Sequence, residues 1–183
     1  MRRAFVLLAW LALLVSPQGC GTIYKTAVDE RSVGSQARDV EIEATVFKRF
    51  VDDPLVKAAD ISTFSYYGEV YLVGEYESQE QINRAVRIAK GVPGVRAVTT
   101  YLLPKRANDT CGMTDNLGLM AEVKKRLIKD TDIWSTNVEV KVVQCHIVLL
   151  GLVGSPREVA KAEAHAKAVP GSRGVASFLK PVR

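Results

Sequence analysis

Residues 69–102 read EVYLVGEYESQEQINRAVRIAKGVPGVRAVTTYL, and residues 146–179 read HIVLLGLVGSPREVAKAEAHAKAVPGSRGVASFL. The second stretch repeats the first without a gap, at a constant offset of 77 residues, from 69 to 146. Glycines and prolines recur at that offset, and because these residues set backbone turns, both stretches require the same turns in the same order. The recurring turn residues are Gly74 and Gly151, Pro93 and Pro170, and Gly94 and Gly171. The chain therefore contains two copies of one structural unit.

Each copy contains a strand, a helix and a second strand. In the first copy the apolar run VYLVG ends at a glycine, which is typical of a buried strand. Ser78 is a suitable N-cap for a helix that continues to Lys90 and places Ile82, Ala85 and Ala89 on one face. The VPGV sequence then turns the chain into the strand RAVTTYL, since proline fixes φ and glycine accepts a positive φ.

The same offset extends upstream of the repeat. A first strand precedes the one already described and is joined to it by a tight turn at Gly68 or Cys145, and a first amphipathic helix precedes that strand. The paired segments are residues 60–67 and 137–144 for the strand, and residues 40–50 and 117–127 for the helix. The predicted fold class is α+β, with two tandem αββαβ units, each a three-stranded mixed sheet covered on one face by two helices.

This pattern resembles the BON domain. The resemblance rests on the hairpin sequence GEVYLVG, with CHIVLLG as the looser copy, and on VPGV near the end of the unit. We therefore assign a first BON domain to residues 38–103, a linker to 104–114 and a second BON domain to 115–183. BON domains occur in bacterial periplasmic and outer-membrane proteins and are described as binding phospholipid or other envelope components, so the resemblance implies a role in the envelope.

The N-terminus resembles a lipoprotein signal. Arg2 and Arg3 precede an apolar run of 12 residues, which is too short for a membrane span of ~20 residues and suits a signal peptide. A small residue, Gly19, stands directly before Cys20, as in a lipobox, although Pro17 occupies the position where leucine is usual. The resemblance implies cleavage before Cys20 and attachment of palmitate and other acyl chains to that cysteine.

The signal peptide accordingly spans residues 1–19 and a lipidated tether spans 20–37. Gly21 follows the acylated cysteine, which in such lipoproteins implies passage to the outer membrane. The tether contains TAVDERSVGSQARD, which resembles the segment ahead of the first domain in outer-membrane lipoproteins with two BON domains. The resemblance implies an anchored protein on the periplasmic face of the outer membrane that supports outer-membrane integrity.

Charge is unevenly distributed between the domains. The full chain carries a formal charge of +5. Residues 38–103 hold 8 basic and 10 acidic side chains, a balance of −2, whereas residues 115–183 hold 11 basic and 7 acidic side chains, a balance of +4. The second domain is therefore the one suited to an anionic partner.

The first helix of the second domain, DNLGLMAEVKKRLIKD, combines apolar residues with a basic C-terminal half. One interpretation is that the basic residues only complement the helix dipole. The other is an interfacial helix whose cations meet lipid phosphates while apolar side chains enter the head-group region. In the resembled lipoproteins this helix binds anionic phospholipid through a region with an aromatic residue near its start, where this chain has Gly118. The candidate phospholipid-binding residues are Leu117, Leu119, Met120, Lys124, Lys125, Arg126 and Lys129.

Two functions follow as hypotheses. The first is binding of an anionic phospholipid membrane by the second domain. The second is a protein-interaction adaptor that acts on the outer-membrane protein assembly machinery without recognising lipid. Nucleic acid is not expected as a partner, because an exported protein does not meet it and the sequence has no recognised binding motif. The sequence leaves the oligomeric state open.

Catalysis and metal binding find little support in the sequence. His146 and His165 are the only histidines, and no nucleophile–base set or metal-ligand spacing includes them. We expect no enzyme activity, no cofactor and no metal site, and we expect His165 to be a partly buried helix residue.

The cysteines predict a disulfide between Cys111 and Cys145. Once Cys20 is acylated, these two thiols remain in an oxidising compartment, where cysteines tend to pair. The alternative is two unpaired thiols more than ~7 Å apart at Cα.

Aromatic residues gather on the first hairpin. Strand propensity and packing, including packing against the other domain, account for them, and a protein-binding face is the alternative. They are Phe64, Tyr66, Tyr67, Tyr71 and Tyr76.

Overall fold

The computed structural model describes residues 33–182 and contains the two predicted αββαβ units. The elements of the first unit are α1 (Val33–Val51), β1 (Ile61–Tyr66), β2 (Glu69–Tyr76), α2 (Gln79–Lys90) and β3 (Ala97–Pro104). Those of the second are α3 (Met113–Lys129), β4 (Val138–Val143), β5 (His146–Val153), α4 (Pro156–Lys167) and β6 (Gly174–Pro181), with a short 3₁₀ helix, Ser135–Asn137, before β4. No helix within this part of the chain is long and apolar enough to cross a membrane.

Each unit forms a three-stranded mixed sheet, as predicted. The strand orders are β1-β2-β3 and β4-β5-β6. The hairpin strands are antiparallel, with Thr63 opposite Leu72, and β3 joins β2 in parallel, with Thr100 opposite Leu72. The second sheet has the same pairing and register. The repeat in sequence is therefore a repeat in topology.

The recurring glycines and serines are explained by local geometry. Gly74 and Gly151 have φ of +157° and +139°, and a Cβ at either position would lie 1.9 Å from the carbonyl oxygen of the residue just before the neighbouring strand, Asp60 or Asn137. Only glycine fits there. Ser78 and Ser155 are the N-caps of α2 and α4, and each hydroxyl accepts a hydrogen bond from the backbone N–H three residues later.

α1 begins five residues before the predicted boundary at residue 38, so the end of the predicted tether is helical. Residues 34–37, the start of α1 for which side chains are described, place no apolar side chain in the core, and for that reason their helical state leaves no periodic signal in the sequence. The predicted signal peptide, Cys20 and most of the tether lie outside the described residues.

Each unit buries one core between its helices and its sheet. In the first unit Ile42, Val46 and Phe50 of α1 pack against Val70 and Leu72 of β2. The second core contains the equivalent residues of α3 and β5, which are Leu119, Val123, Leu127, Ile147 and Leu149. Helices thus cover one face of each sheet.

The uncovered faces of the two sheets pack against each other. Tyr71 and Val73 of β2 meet Val148 and Leu150 of β5 in a third apolar cluster. The ring of Phe178 lies 5.5 Å from that of Tyr71, in the tilted arrangement that aromatic pairs favour. The molecule is consequently four layers deep, helix–sheet–sheet–helix, with α1 and α3 on opposite outer sides.

Polar contacts fix the relative position of the two sheets. Lys180 of β6 forms an ion pair with Glu69 of β2, and this ammonium group holds the pKa of Glu69 below its usual value. The amide nitrogen of Gln144 donates to Oε1 of Glu75 and to the carbonyl of Pro104, both at 2.8 Å. The expected packing of the hairpin aromatics between domains is confirmed for Phe64, Tyr66 and Tyr71, whereas the side chain of Tyr67 is exposed.

Candidate functional site

α3 lies on the outer face of the second sheet and turns one side inward. Its N-terminus is capped by Asp115, whose carboxylate accepts a hydrogen bond of 2.8 Å from the Gly112 N–H. The buried side consists of Leu119, Val123 and Leu127. Leu119 therefore belongs to the core and not to the outer surface, although it is among the predicted lipid-binding residues. Met120 is half-buried and packs against the same core.

A solvent-exposed side of α3, separate from the buried one, carries a line of apolar residues. Met113, Leu117 and Ile128 are 80%, 54% and 69% exposed, and Ala121 is also exposed. Spacings of four, four and seven residues place these side chains in one line on a helix of 3.6 residues per turn. We call these four residues the α3 stripe. Leu117 was predicted from the sequence, and Met113 and Ile128 were missed.

The basic residues of α3 have acidic partners. On a helix with 100° per residue, Lys124 interrupts the α3 stripe and Lys125 lies beside it, whereas Arg126 lies on the opposite side of the helix. Lys125 and Arg126 lie 3.3 and 2.9 Å from Glu122, and their charges hold the pKa of that carboxylate below its usual value. Lys124 lies 3.6 Å from Glu139. All three pairs are open to solvent, so each contributes little to stability and can exchange its partner. Lys129, at the end of the helix, is exposed.

An exposed aromatic side chain follows α3. Trp134 is a large apolar residue open to solvent in the loop between α3 and β4. Its backbone N–H donates to the buried carboxylate of Glu158 at 2.8 Å, and this bond holds the loop in place. Tryptophan is enriched at membrane–water interfaces because its ring is apolar and its N–H is polar. Trp134 is therefore an exposed aromatic residue that follows the end of α3.

The predicted disulfide between Cys111 and Cys145 is present in the structure, with Cα atoms 5.8 Å apart. It joins the residues just before α3 to the β4–β5 turn. The amide oxygen of Asn116 strengthens this junction by accepting a hydrogen bond of 2.9 Å from the Cys145 N–H. The N-terminal end of α3 is therefore attached to the sheet by a covalent bond and a hydrogen bond.

Both domains have a cleft at this place, and the one in the second domain has a volume of about 520 Å³ and is lined by the two cysteines and Arg173. The cleft in the first domain is larger and has no disulfide among its described residues. The cleft has a volume of about 690 Å³ and is lined by Arg38, Arg49 and Arg96, among others. In the second domain the equivalent of Arg96 is Arg173. Its guanidinium donates hydrogen bonds to the carboxylate of Asp109 and to the hydroxyl of Thr110, each at 2.7 Å. The linker thus supplies a carboxylate to the arginine of the second cleft.

The histidines occupy structural positions. Nε2 of His165 lies 2.9 Å from Asp130, the residue that ends α3, and Lys161 of α4 binds the same carboxylate at 3.1 Å. The hydrogen bond from His165 is the largest cause that lowers the pKa of Asp130 to about 2. Nδ1 of His146 lies 3.0 Å from the carbonyl of Gln144. Among residues 33–182 no group of three or more His, Cys, Asp or Glu side chains could hold a metal ion.

Comparison with known proteins gives a consistent result. The sequence model of the BON domain matches residues 38–103 and 116–180. The osmotically-inducible protein Y of Escherichia coli is 35% identical over 150 residues, which cover 81% of this chain and 75% of that protein.

Two further relatives match most of the chain. The outer membrane lipoprotein DolP of Haemophilus influenzae is 28% identical over 157 residues, 85% of this chain and 81% of its own length. The 21 kDa hemolysin of Actinobacillus pleuropneumoniae is 26% identical over 156 residues, 85% of this chain and 78% of its own length.

Proposed function

This chain belongs to the BON-domain family, and from that starting point we propose that it is a lipid-anchored periplasmic protein of the outer membrane whose second domain binds anionic phospholipid. An outer membrane lipoprotein with similarity across both domains supports the envelope location. The α3 stripe, placed among cations on the basic domain, is the observation that carries the lipid-binding part.

The contact would combine apolar and electrostatic attraction. Leu117 and Ile128 are exposed and are not needed for the core, so their transfer into the head-group region gains hydrophobic free energy without loss of stability. Each lysine or arginine near an anionic surface contributes about 1 kcal/mol, and this contribution is screened by salt. The pairs with Glu122 and Glu139 are partly exposed to solvent, so a lipid phosphate can compete with the carboxylate.

The test is flotation of residues 20–183, with Cys20→Ala, on vesicles of phosphatidylglycerol or of neutral phosphatidylcholine. We expect binding to phosphatidylglycerol that weakens as salt rises. Lys125→Glu with Lys129→Glu should abolish it by changing the charge of the face, and Leu117→Asn with Ile128→Asn should weaken it by removing the apolar contact. All four side chains are exposed, so the folded state should persist.

A matched control separates this face from net charge. Arg87 and Lys90 are exposed on α2 of the first domain, and their double replacement by Glu alters the total charge by the same amount as the α3 pair. Binding should persist in this control. An equal loss of vesicle binding in both double variants would mean that the net charge of the protein, and not the α3 surface, causes its attraction to phosphatidylglycerol.

The adaptor alternative has one observation in its favour. Glu122 and Glu139 offset three of the cations on α3, which leaves a mixed, partly apolar face of the kind that proteins recognise. No flotation by wild type, together with capture of the outer-membrane protein assembly machinery that depends on Leu117, would favour this second function.

Anchoring through Cys20 is a separate part of the proposal. We expect Cys20→Ala in cells to release the protein into the soluble periplasmic fraction, since a periplasmic domain without its acyl chains has only α3 to hold it. Continued fractionation with the outer membrane would show that acylation is not the main anchor.

A further inference from the structure

The first domain also has an exposed apolar line on its first helix. Val40, Phe47 and Val51 of α1 are 64%, 52% and 60% exposed, and Ala44 between them is exposed. At 100° per residue these four side chains lie within an arc of about 60°. They point away from the core, which receives the other side of the helix. We call them the α1 stripe.

The α1 stripe and the α3 stripe occupy equivalent positions but differ in charge. Val40, Ala44 and Val51 correspond to Leu117, Ala121 and Ile128. The α3 stripe is interrupted by Lys124 at the position where α1 has Phe47. Next to the α1 stripe lie Glu41 and Lys48, one residue of each sign, and the positions equivalent to these two on α3 hold Gly118 and Lys125. A basic face suits an anionic membrane, whereas a face with both signs beside an uninterrupted apolar line suits another protein surface.

We infer that two copies of this chain pair through their α1 stripes, with the two helices antiparallel. A two-fold axis between residues 45 and 46 sets Val40 of one copy opposite Val51 of the other, and Ala44 opposite Phe47. The aromatic ring of Phe47 then faces the small side chain of Ala44, and the two valines face each other, so large and small side chains alternate at the centre of the contact. The pattern is its own complement, which a two-fold interface needs.

The charges agree with the same axis. Glu41 and Lys48 lie on the same flank of α1, because they are seven residues apart, close to two helical turns. A two-fold axis brings that flank of one copy to the same flank of the other in reversed direction, so Glu41 of each copy lies beside Lys48 of its partner. The same operation on α3 would set Lys124 of each copy opposite Ala121 of its partner, which places two lysines near the centre of the contact, and would bring one basic flank against another. Self-pairing therefore fits α1 and not α3.

The occupant of the α1 stripe is thus a second copy and not a bilayer. The first domain has a balance of −2, which disfavours an anionic surface. α1 lies in the outer layer opposite that of α3, so pairing leaves the α3 stripe of each copy uncovered. A contact made by one helix from each copy buries little surface area, so we expect a weak, reversible dimer. Tethering both copies to one membrane would raise its population.

Charge exchange tests the axis directly. Sedimentation of residues 20–183 with Cys20→Ala, which contain both domains and their shared interface, should show a monomer–dimer equilibrium below about 0.5 mM. Glu41→Lys or Lys48→Glu places like charges together twice in each dimer, so each should raise the dimer Kd by about tenfold. The double exchange Glu41→Lys with Lys48→Glu should restore the Kd to within about threefold of wild type. An equimolar mixture of the two single variants should form heterodimers.

The control is a surface ion pair in the helix layer on the other side of the molecule. Lys167 and Glu163 of α4 lie 3.2 Å apart, and Glu163→Lys should leave the dimer Kd unchanged. Phe47→Lys, which copies α3, should abolish the dimer. Two results would overturn the inference. One is a wild-type protein that stays monomeric at about 0.5 mM. The other is a double variant whose dimer Kd is as high as that of either single variant. Lipid flotation is measured separately, so failure here is distinguishable from failure of the proposed lipid binding.

Discussion

Reduction of the Cys111–Cys145 disulfide should destabilise the second domain by about 4 kcal/mol. The bond closes a segment with a sequence separation of 34 residues. In the chain-entropy model, a loop of that length removes about 12.6 cal/mol/K from the unfolded ensemble, or about 3.8 kcal/mol at 25 °C. Both cysteines are buried, so the reduced thiols remain in an apolar site and add little to this figure.

Fluorescence of Trp134 during urea unfolding provides the measurement. The chain has two tryptophans, and Trp10 lies in the predicted signal peptide, so Trp134 reports on the second domain in residues 20–183. Comparison of the oxidised and reduced protein should show a lower urea midpoint after reduction, with the difference in free energy obtained from linear extrapolation.

Two paired variants separate the crosslink from backbone strain. Cys145 has a φ of +60°, a conformation that costs a non-glycine residue roughly 1–2 kcal/mol, and the first domain has Gly68 at this position. Cys111→Ser with Cys145→Gly should therefore be about 1 kcal/mol more stable than Cys111→Ser with Cys145→Ser. Equal midpoints for the oxidised and reduced wild type would refute the entropic argument.

Three other perturbations follow from the fold. Gly74→Ala should lower the free energy of unfolding by more than about 3 kcal/mol, because the added Cβ would lie 1.9 Å from the Asp60 carbonyl oxygen, and thermal melts would measure the loss. Tyr71→Ala should lower the free energy of unfolding by about 3 kcal/mol, because it leaves a cavity between the sheets. Separation of the two domains in this variant would appear in small-angle X-ray scattering as a larger radius of gyration. The carboxylate of Asp130 has a folded pKa of about 2 against an ordinary value of 3.8, so its stabilising contribution is complete above pH ~4 and is lost as the pH falls toward 2. Asp130→Asn should flatten the pH dependence of stability in that window, and an unchanged slope in urea titrations would contradict the assignment.

Most of the fold could be predicted because the chain repeats itself. A glycine such as Gly74 could have many causes, but its recurrence as Gly151 in the same pattern indicates a backbone requirement, and the structure shows it in both copies. Ser78 and Ser155 gave the helix starts in the same way. The two units therefore supported each other's assignments.

The outward face of α3 could be predicted only in part. Leu119, Val123 and Leu127 have helical spacing, and so do Met113, Leu117 and Ile128. Two such sets on one helix do not reveal which of them meets the sheet. That choice depends on side chains of β4 and β5 that are distant in sequence, which explains why Leu119 entered the predicted lipid-binding set and Ile128 did not.

The contact between the two sheets has a consequence for the history of the chain. An αββαβ unit has helices on one face of its sheet only, so a solitary unit would expose the face that bears Tyr71 and Val73, or Val148 and Leu150. Such a unit would have to dimerise with a second copy present at high concentration, or it would aggregate through its apolar face. Duplication within one gene supplies that second copy at a fixed short distance, equivalent to a millimolar local concentration whatever the amount of protein in the cell. Each unit then covers the apolar sheet face of the other as soon as the chain folds. The helices on the other face of each sheet are not needed for this contact, so their exposed residues can change in sequence.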